Sequence, residues 1–381
     1  MIQRKISKTI LTLSKKFKAI TVTGPRQSGK TTLVKHLFPK HRYVSLEELD
    51  NREFAANDPR GFLGEYNSKI IIDEVQRVPN LLSYLQTHLD DSTLKGNYIL
   101  TGSQNFQLSN QISQTLVGRT AIVELLPLEM SEILKYDSKL SIEKIILNGG
   151  YPSLYSSKIP PGLYFDSYIS LYLERDVRDI KYVINLAQFQ KFIHICAGRV
   201  GQLLNLTDIS NVLGVDHKTV ESWISILETS FIAFRLQPYF ENVSSRNIKT
   251  AKIYFYDTGL VCQLLRISNI TELQNSTFWG NIFENFVISD AIKQLRNLGD
   301  TSDLFFVRDK NGHEIDLVYP EGNKFSLYEI KAAKTFSFDF LKSLDYYSKV
   351  MKKQTSKYVI YRGLSTNYSR VKAISIKEFE L

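Results

Sequence analysis

The stretch AITVTGPRQSGKTTLVKHLF, residues 19–38, constrains the fold more than any other part of the chain. A short β-branched run leads into GPRQSGKT, and a helical pattern follows. The loop matches G-x-x-x-x-G-K-[ST] in full, with the strand before it and the helix after it that the motif requires. Gly24 and Gly29 permit torsions that turn successive N–H groups towards phosphate oxygens. Gly24, Pro25, Arg26, Gln27, Ser28, Gly29, Lys30, Thr31 and Thr32 are therefore expected to cradle a nucleotide, ATP. Lys30 is expected to reach the β- and γ-phosphates and Thr31 to offer its hydroxyl to Mg²⁺. The helix N-terminus adds its dipole.

A second piece follows in SKIIIDEVQRVPNLLSYLQTHLD, residues 68–90. Three isoleucines predict a buried parallel strand that ends in two acids. Asp73 fits a further Mg²⁺ support, and Glu74 fits the residue that polarises an attacking water. The plainer alternative is that the acids cap a helix. In GNYILTGSQNF, another expected core strand, Ser103 or Gln104 would stand between the acid pair and the γ-phosphate as a sensor, or would simply form a turn. Arg119, in QTLVGRTAIVELLPLEMSEIL, is either a surface charge or an arginine that reaches a neighbouring copy's γ-phosphate. The second role implies a homo-oligomer.

These segments, together with GGYPSLY at residues 149–155, resemble the prokaryotic AAA-like ATPases, a branch of the P-loop superfamily. The resemblance extends along the chain, because such ATPases commonly carry a C-terminal domain of unassigned function. It implies an α/β chain of three parts. These are a P-loop ATPase domain (1–135), a helical and winged-helix segment (136–245) and a C-terminal mixed-sheet domain (246–381).

In the middle, LYFDSYISLYLERDVRDI has helical spacing. Its Arg175, Asp176, Arg178 and Asp179 either dock on the nucleotide edge or form a solvated face. NLTDISNVLGV and DHKTVESWISILE predict two capped helices, and SFIAFRL a strand, the order of a winged helix-turn-helix. The second helix opens with Asp216, His217, Lys218, Thr219 and Glu221. With two acids and one lysine it is poorly equipped to bind DNA by itself.

The last third contains HEIDLVYPEGNKFSLYEIKAAK, two alternating segments about a Pro-Glu-Gly-Asn turn. Ile315 and Leu317 bracket Asp316, which is expected to face away from them, while Glu329 and Lys331 share a face opposite Ile330. Gathering carboxylates costs several kcal/mol unless something offsets their repulsion, and Mg²⁺ does so. Glu284, near the start of the helical stretch WGNIFENFVISDAIKQL, is expected to add a ligand to Asp316 and Glu329. A metal there, Mg²⁺ or Mn²⁺, would activate water for phosphodiester cleavage, with Lys331 steadying the developing anion. The order Glu284, Asp316, Glu329-x-Lys331 resembles the PD-(D/E)XK nuclease core, which implies a restriction-endonuclease-like fold. Ile315 stands where the proline of that family's name would be.

Composition supports these expectations without choosing among them. The net charge is +9, with six Lys/Arg and no acids in residues 1–20, and eleven Lys/Arg against four acids in residues 331–381. Basic ends suit a polyanion such as a nucleic acid, or are simply solvated lysines; the nucleic-acid partner expected of the chain is DNA more than RNA. Two cysteines, Cys196 and Cys262, make neither a disulfide framework nor a zinc cluster. The amino-terminal segment lacks a compact apolar core and a small-residue cleavage site. It is expected to be a structural helix, and the chain cytoplasmic without a membrane span.

Overall fold

The computed structural model describes residues 2–103, 116–173, 186–239, 249–351, 353–368 and 370–381. Among them, one sheet contains β1 (Ala19–Gly24), β2 (Arg42–Ser45), β3 (Ile70–Asp73), β4 (Tyr98–Ser103) and β5 (Thr120–Glu124). The order is β2-β3-β4-β1-β5, and the pairs are parallel. A parallel sheet must be covered on both faces, and the isoleucine-rich runs are sorted accordingly. Ile70, Ile72 and Leu100 pack with Leu81, Leu85 and Leu89. Ile20, Val22, Ile71 and Ile99 pack on the other side with Ile6, Ile10, Leu33 and Val34. The amino-terminal segment is thus the structural helix expected of it, Ser7–Ser14.

Since β4 lies between β1 and β3, the phosphate-loop strand and the acid-bearing strand stand two spacings apart, about 10 Å. Gly24, Asp73 and Ser103 end their strands on the same carboxyl edge, the usual place for a ligand in an open α/β sheet.

A second, mixed sheet is built from β6 (Ala233–Pro238), β7 (Lys252–Phe255), β8 (Phe305–Arg308), β9 (Glu314–Glu321), β10 (Lys324–Lys331), β11 (Gln354–Tyr361), β12 (Thr366–Tyr368) and β13 (Val371–Ser375). Its order is β12-β13-β11-β10-β9-β8-β6-β7. β8, β9 and β10 pair antiparallel, whereas β10 and β11, separated by the helix Lys342–Val350, pair parallel. The strands β6 and β7 straddle the expected 245/246 boundary. They join the C-terminal sheet where Gln237 and Pro238 pair with Phe305 and Phe306.

In the middle segment, the helices Leu206–Leu213 and His217–Thr229 form where their caps predict. The Asn205 side chain accepts from Asp208 N, and that of Asp216 from Thr219 N. Trp223 is core. Arg175, Asp176, Arg178 and Asp179 lie outside the described residues. No helix among the described residues is long and apolar enough to cross a membrane.

Two junctions fix the halves together. The first is the helix Trp279–Leu298, whose Asp290 accepts from Met130 N (2.7 Å) and whose Asn297 donates to Glu129 (2.7 Å). The second is Asp257, a buried carboxylate that accepts from Gly150 N (2.6 Å) and caps the helix Thr258–Leu264. Gly149 has φ +77°, and a Cβ there would lie 2.1 Å from an Asp257 oxygen. Gly149→Ala is therefore expected to cost about 2–4 kcal/mol through backbone strain and overlap, measured as a lower urea midpoint at unchanged m-value.

Candidate functional site

The phosphate loop owes its shape to two glycines. Gly24 has φ +145°, and a Cβ there would lie 2.2 Å from the Leu125 carbonyl oxygen. Gly29 enters the helix Lys30–Leu37 from the left-handed region at φ +92°. Lys30 is buried, and its ammonium donates to the carbonyls of Gly24 (3.0 Å) and Pro25 (2.8 Å). Burial pushes its pKa down to about 8, against the opposing pull of Glu74 and Asp73. A desolvated cation held by neutral carbonyls is short of an anion.

Opposite it, Asp73 is buried at the tip of β3. Its carboxylate accepts from Thr31 Oγ1 (3.0 Å), Tyr43 OH (2.8 Å) and Thr101 Oγ1. Glu74 adopts φ +57° at the start of a short turn, an uncommon conformation for a residue with a side chain. Burial raises its pKa, and Lys30 opposes the rise. Gln76 Nε2 donates both to the Glu74 carboxylate and to Ser103 Oγ (2.9 Å). Gln76 thus joins the expected water-polarising acid to the expected sensor. Sequence reasoning passed over it, although it stands two residues after Glu74 in the same run. Gln104 lies outside the described residues.

A cavity of about 570 Å³ opens here, lined among others by Arg26, Lys30, Thr31 and Glu74, and by Ile2, Arg4 and Pro152 from outside the loop. Arg4, one of the six basic residues in positions 1–20, is buried. Its Nε donates to both Glu132 oxygens (3.2 Å each), and its two Nη atoms donate to Ser28 O (3.1 Å) and Leu126 O (2.7 Å). Lys5 is likewise engaged, with Glu129 (2.5 Å). Arg119 is not in this cavity. It precedes β5, whose first residue aligns with Ala19 at the start of β1, five strand residues from Gly24 and so about 16 Å away. There it grips Asp90 through Nε (2.6 Å) and Nη2 (2.8 Å).

The geometry fits ATP and Mg²⁺. A buried ammonium without an anion, and a hydroxyl and a carboxylate already 3.0 Å apart, are the donor set that a phosphate chain and a hard cation require.

The C-terminal residues also meet. Lys331 Nζ lies 2.5 Å from Glu329 Oε1 and 3.8 Å from Asp316 Oδ2, and Asp316 Oδ2 accepts from Ile330 N (2.7 Å). The alternation expected around Asp316 fails. Ile315 packs with Leu327 and Leu344, whereas Leu317 packs with Phe306 and Ile330. A register shift between Phe305 and Val307 marks a β-bulge there, and one extra residue flips the faces.

Glu314, two residues before Asp316 and on the same face of β9, joins the cluster: carboxylate oxygens of Glu284, Glu314 and Asp316 lie within 4.8 Å of one another. Between them stands Lys252, from β7. Its buried Nζ lies 3.0 Å from Glu284 Oε1 and pairs with Glu314. Burial alone would lower the Lys252 pKa, and Tyr254, Glu284, Glu314 and Asp316 more than reverse it. The carboxyls of Glu284 and Glu329 are raised, by burial first and then by neighbouring acids, Asp316 the nearest in effect. The expectation was that a divalent ion offsets this repulsion. In this arrangement lysines contact the acids: Lys252 pairs with Glu284 and Glu314, and Lys331 with Glu329, while oxygens of Glu284, Glu314 and Asp316 lie close enough together to hold an ion. Lys252 gave no sequence signal, being a lone lysine ahead of a short strand.

Comparison with known proteins agrees with the amino-terminal geometry. Residues 16–134 match the family model of the AAA domain, and residues 139–271 and 279–379 match two domains of unknown function, DUF8612 and DUF4143. The loop, the acid pair and the parallel sheet agree with that match, and residues 16–134 have the fold of an AAA-type P-loop ATPase domain. The uncharacterized protein Rv2008c of Mycobacterium tuberculosis is 28% identical over 321 residues, 83% of this chain and 70% of its own. MJ1544 of Methanocaldococcus jannaschii is 23% identical over 335 residues, 80% and 72% of the two chains. Among solved structures, a Walker-type ATPase of Pyrococcus abyssi covers 70% of this chain and 96% of its own at 11% identity and a TM-score of 0.46. That overlap is too slight to carry residue roles.

Since phosphates require the charged form of Lys30, and the free site holds its pKa near 8, nucleotide affinity is expected to be level below that pH. Above it, binding must recruit a proton, and affinity falls by up to about tenfold per pH unit. Titration calorimetry with a non-hydrolysable ATP analogue from about pH 7 to pH 9.5 measures this.

Proposed function

We propose that this chain is an ATP-hydrolysing AAA-type switch whose nucleotide state is passed to a nuclease-like C-terminal domain that engages nucleic acid, DNA rather than RNA. The observation that carries the reading is the convergence of Lys30, Thr31 and Glu74 on one cavity, with Asp73 hydrogen-bonded to Thr31 behind it and a buried ammonium beside it. Thr31 and Asp73 would hold Mg²⁺, which neutralises charge on the β- and γ-phosphate oxygens. Lys30 binds the same oxygens, and the N–H groups between Gly24 and Thr32 orient them. Glu74 polarises the attacking water, and Gln76 holds its carboxylate towards Ser103. Arg119, on the far edge of its own sheet, serves a neighbouring copy's γ-phosphate in an oligomer.

Coupling has a physical route. Arg4 binds the loop at Ser28 O and the helix Met130–Tyr136 at Glu132. The residue capping that helix, Glu129, accepts from Asn297 on the helix that carries Glu284. The nuclease-like reading of the C-terminal domain is supported by its element order. One helix, three antiparallel strands, a helix and a parallel strand gather Glu284, Asp316, Glu329 and Lys331. The middle segment, with two capped helices before the β6–β7 pair, has winged-helix order. Its second helix is suited to packing, because Asp216 is spent on its cap and Glu221 on Arg235 (2.8 Å).

A second reading keeps the ATP switch in the cytoplasm and makes the C-terminal domain a non-catalytic DNA- or partner-binding module. Lys252 among the carboxylates favours it.

ATP turnover by the full chain, with and without plasmid DNA, tests the proposal. Lys30→Ala is expected to abolish binding, and Glu74→Gln to retain binding while turnover falls about 10²-fold or more. Wild-type turnover in Glu74→Gln would overturn the role of Glu74. DNA that leaves both turnover and nucleotide affinity unmoved would overturn the coupling.

A further inference from the structure

The C-terminal cluster contains four carboxylates, Glu284, Glu314, Asp316 and Glu329, and three cationic groups touch them. Arg308 lies at the rim, 3.0 Å from Glu314, with a side chain 38% exposed. Lys331 is 35% exposed and serves Glu329 and Asp316. Lys252 differs from both, since its side chain is 3% exposed and its Nζ lies between Glu284 and Glu314.

We infer that Lys252 is the resident cation of this site. Its ammonium takes the position that a divalent metal ion would take between Glu284, Glu314 and Asp316, and while it stays there the site excludes such an ion. The inference deepens the nuclease-like reading and rests on it only for the choice of ligands.

Three observations place the ammonium there by construction. First, Lys252 is held from both sides of its strand: it pairs with Leu236 of β6 and bridges to Leu203. Second, two residues along the same face, Tyr254 OH donates to the same Glu284 oxygen (2.5 Å) that Lys252 engages. That oxygen is therefore filled by two donors and has little left for a metal. Third, Glu329 Oε2 is buried with no hydrogen-bond partner among the described residues, and its side chain is only 9% exposed. Lys331, not Lys252, serves the other Glu329 oxygen (2.5 Å), so Glu329 stands beside the Lys252 position, which is left to Glu284, Glu314 and Asp316. A magnesium ion bound by these oxygens would sit about 2.1 Å from each. With Glu284 Oε1 only 3.0 Å from Nζ, the two cations would compete for the same oxygen. One must leave for the other to enter.

The test is Mn²⁺ uptake by the full-length, nucleotide-free chain, followed by the electron paramagnetic resonance signal of the free ion. Glu284→Gln identifies which uptake belongs to this cluster, separating it from any at Thr31 and Asp73. The wild type is expected to show no uptake that Glu284→Gln removes. Lys252→Met is expected to take up one Mn²⁺ per chain at least tenfold more tightly than the wild type, and to lose it when Glu284→Gln is added. If Lys252→Met does not fold, Lys252→Met with Glu314→Gln removes one charge of each sign and is used instead. Glu284-dependent uptake by the wild type overturns the inference, and so does a folded Lys252 variant that gains none. Metal-dependent plasmid nicking is scored separately on the same proteins. Nicking by Lys252→Met alone supports both the plug and the nuclease reading. Uptake without nicking keeps the plug and removes the nuclease.

Discussion

The buried guanidinium of Arg4 is the contact on which the rest of the arrangement depends. Its donors reach three separate pieces of backbone and side chain: the phosphate loop at Ser28, the chain leaving β5 at Leu126, and Glu132 in the first turn of the next helix. A charge so enclosed survives only because every direction it faces offers an acceptor, and removing its partner would strand it at a cost of about 3–5 kcal/mol. Glu132 is tied in turn by the reciprocal cap with Glu129, and Glu129 accepts from Asn297 of the long helix Trp279–Leu298. The nucleotide loop and the C-terminal carboxylates are thus joined by ionic and hydrogen-bonded contacts through the interior.

A second connection runs beside the first. Pro152 lines the nucleotide cavity, Gly150 donates to Asp257, and Asp257 lies five residues beyond Lys252 on the chain leaving β7. Both halves therefore hold a lysine withdrawn from water. They use it differently. Lys30 has carbonyl partners and a lowered pKa, so it lacks an anion. Lys252 has carboxylate partners and a raised pKa, so it is already satisfied. The first arrangement is built to receive a ligand, the second to hold itself closed.

Much of the first site was legible in the sequence because its geometry is local. A strand, a glycine turn and a helix put Gly24, Lys30 and Thr31 in place within eight residues, and IIIDE ends a strand that could lie only in a parallel sheet. Its tertiary partners were not legible. Arg4 looked like one more basic residue near the amino terminus, and nothing in its neighbours announced Glu132. In the C-terminal half the acid-x-lysine pair on β10 was readable from strand period alone, and Asp316 joins that pair although the alternation expected of it holds for Ile315 and not for Leu317. The bulge in β9 breaks the alternation after Ile315, so that Leu317 packs on the other side of the sheet, and Glu314, two residues before Asp316, was within reach of the same strand period. Lys252 comes from a strand outside the motif, so only the three-dimensional structure could bring it to the carboxylates.

The central claim is that nucleotide held at Lys30 is felt along these buried contacts. Amide hydrogen exchange compared between the free protein and Glu74→Gln protein saturated with ATP and Mg²⁺ tests it most directly. The account predicts altered exchange at residues 24–32 and, with it, at residues 252–257 and along Trp279–Leu298. A change confined to the phosphate loop and its immediate neighbours would contradict it.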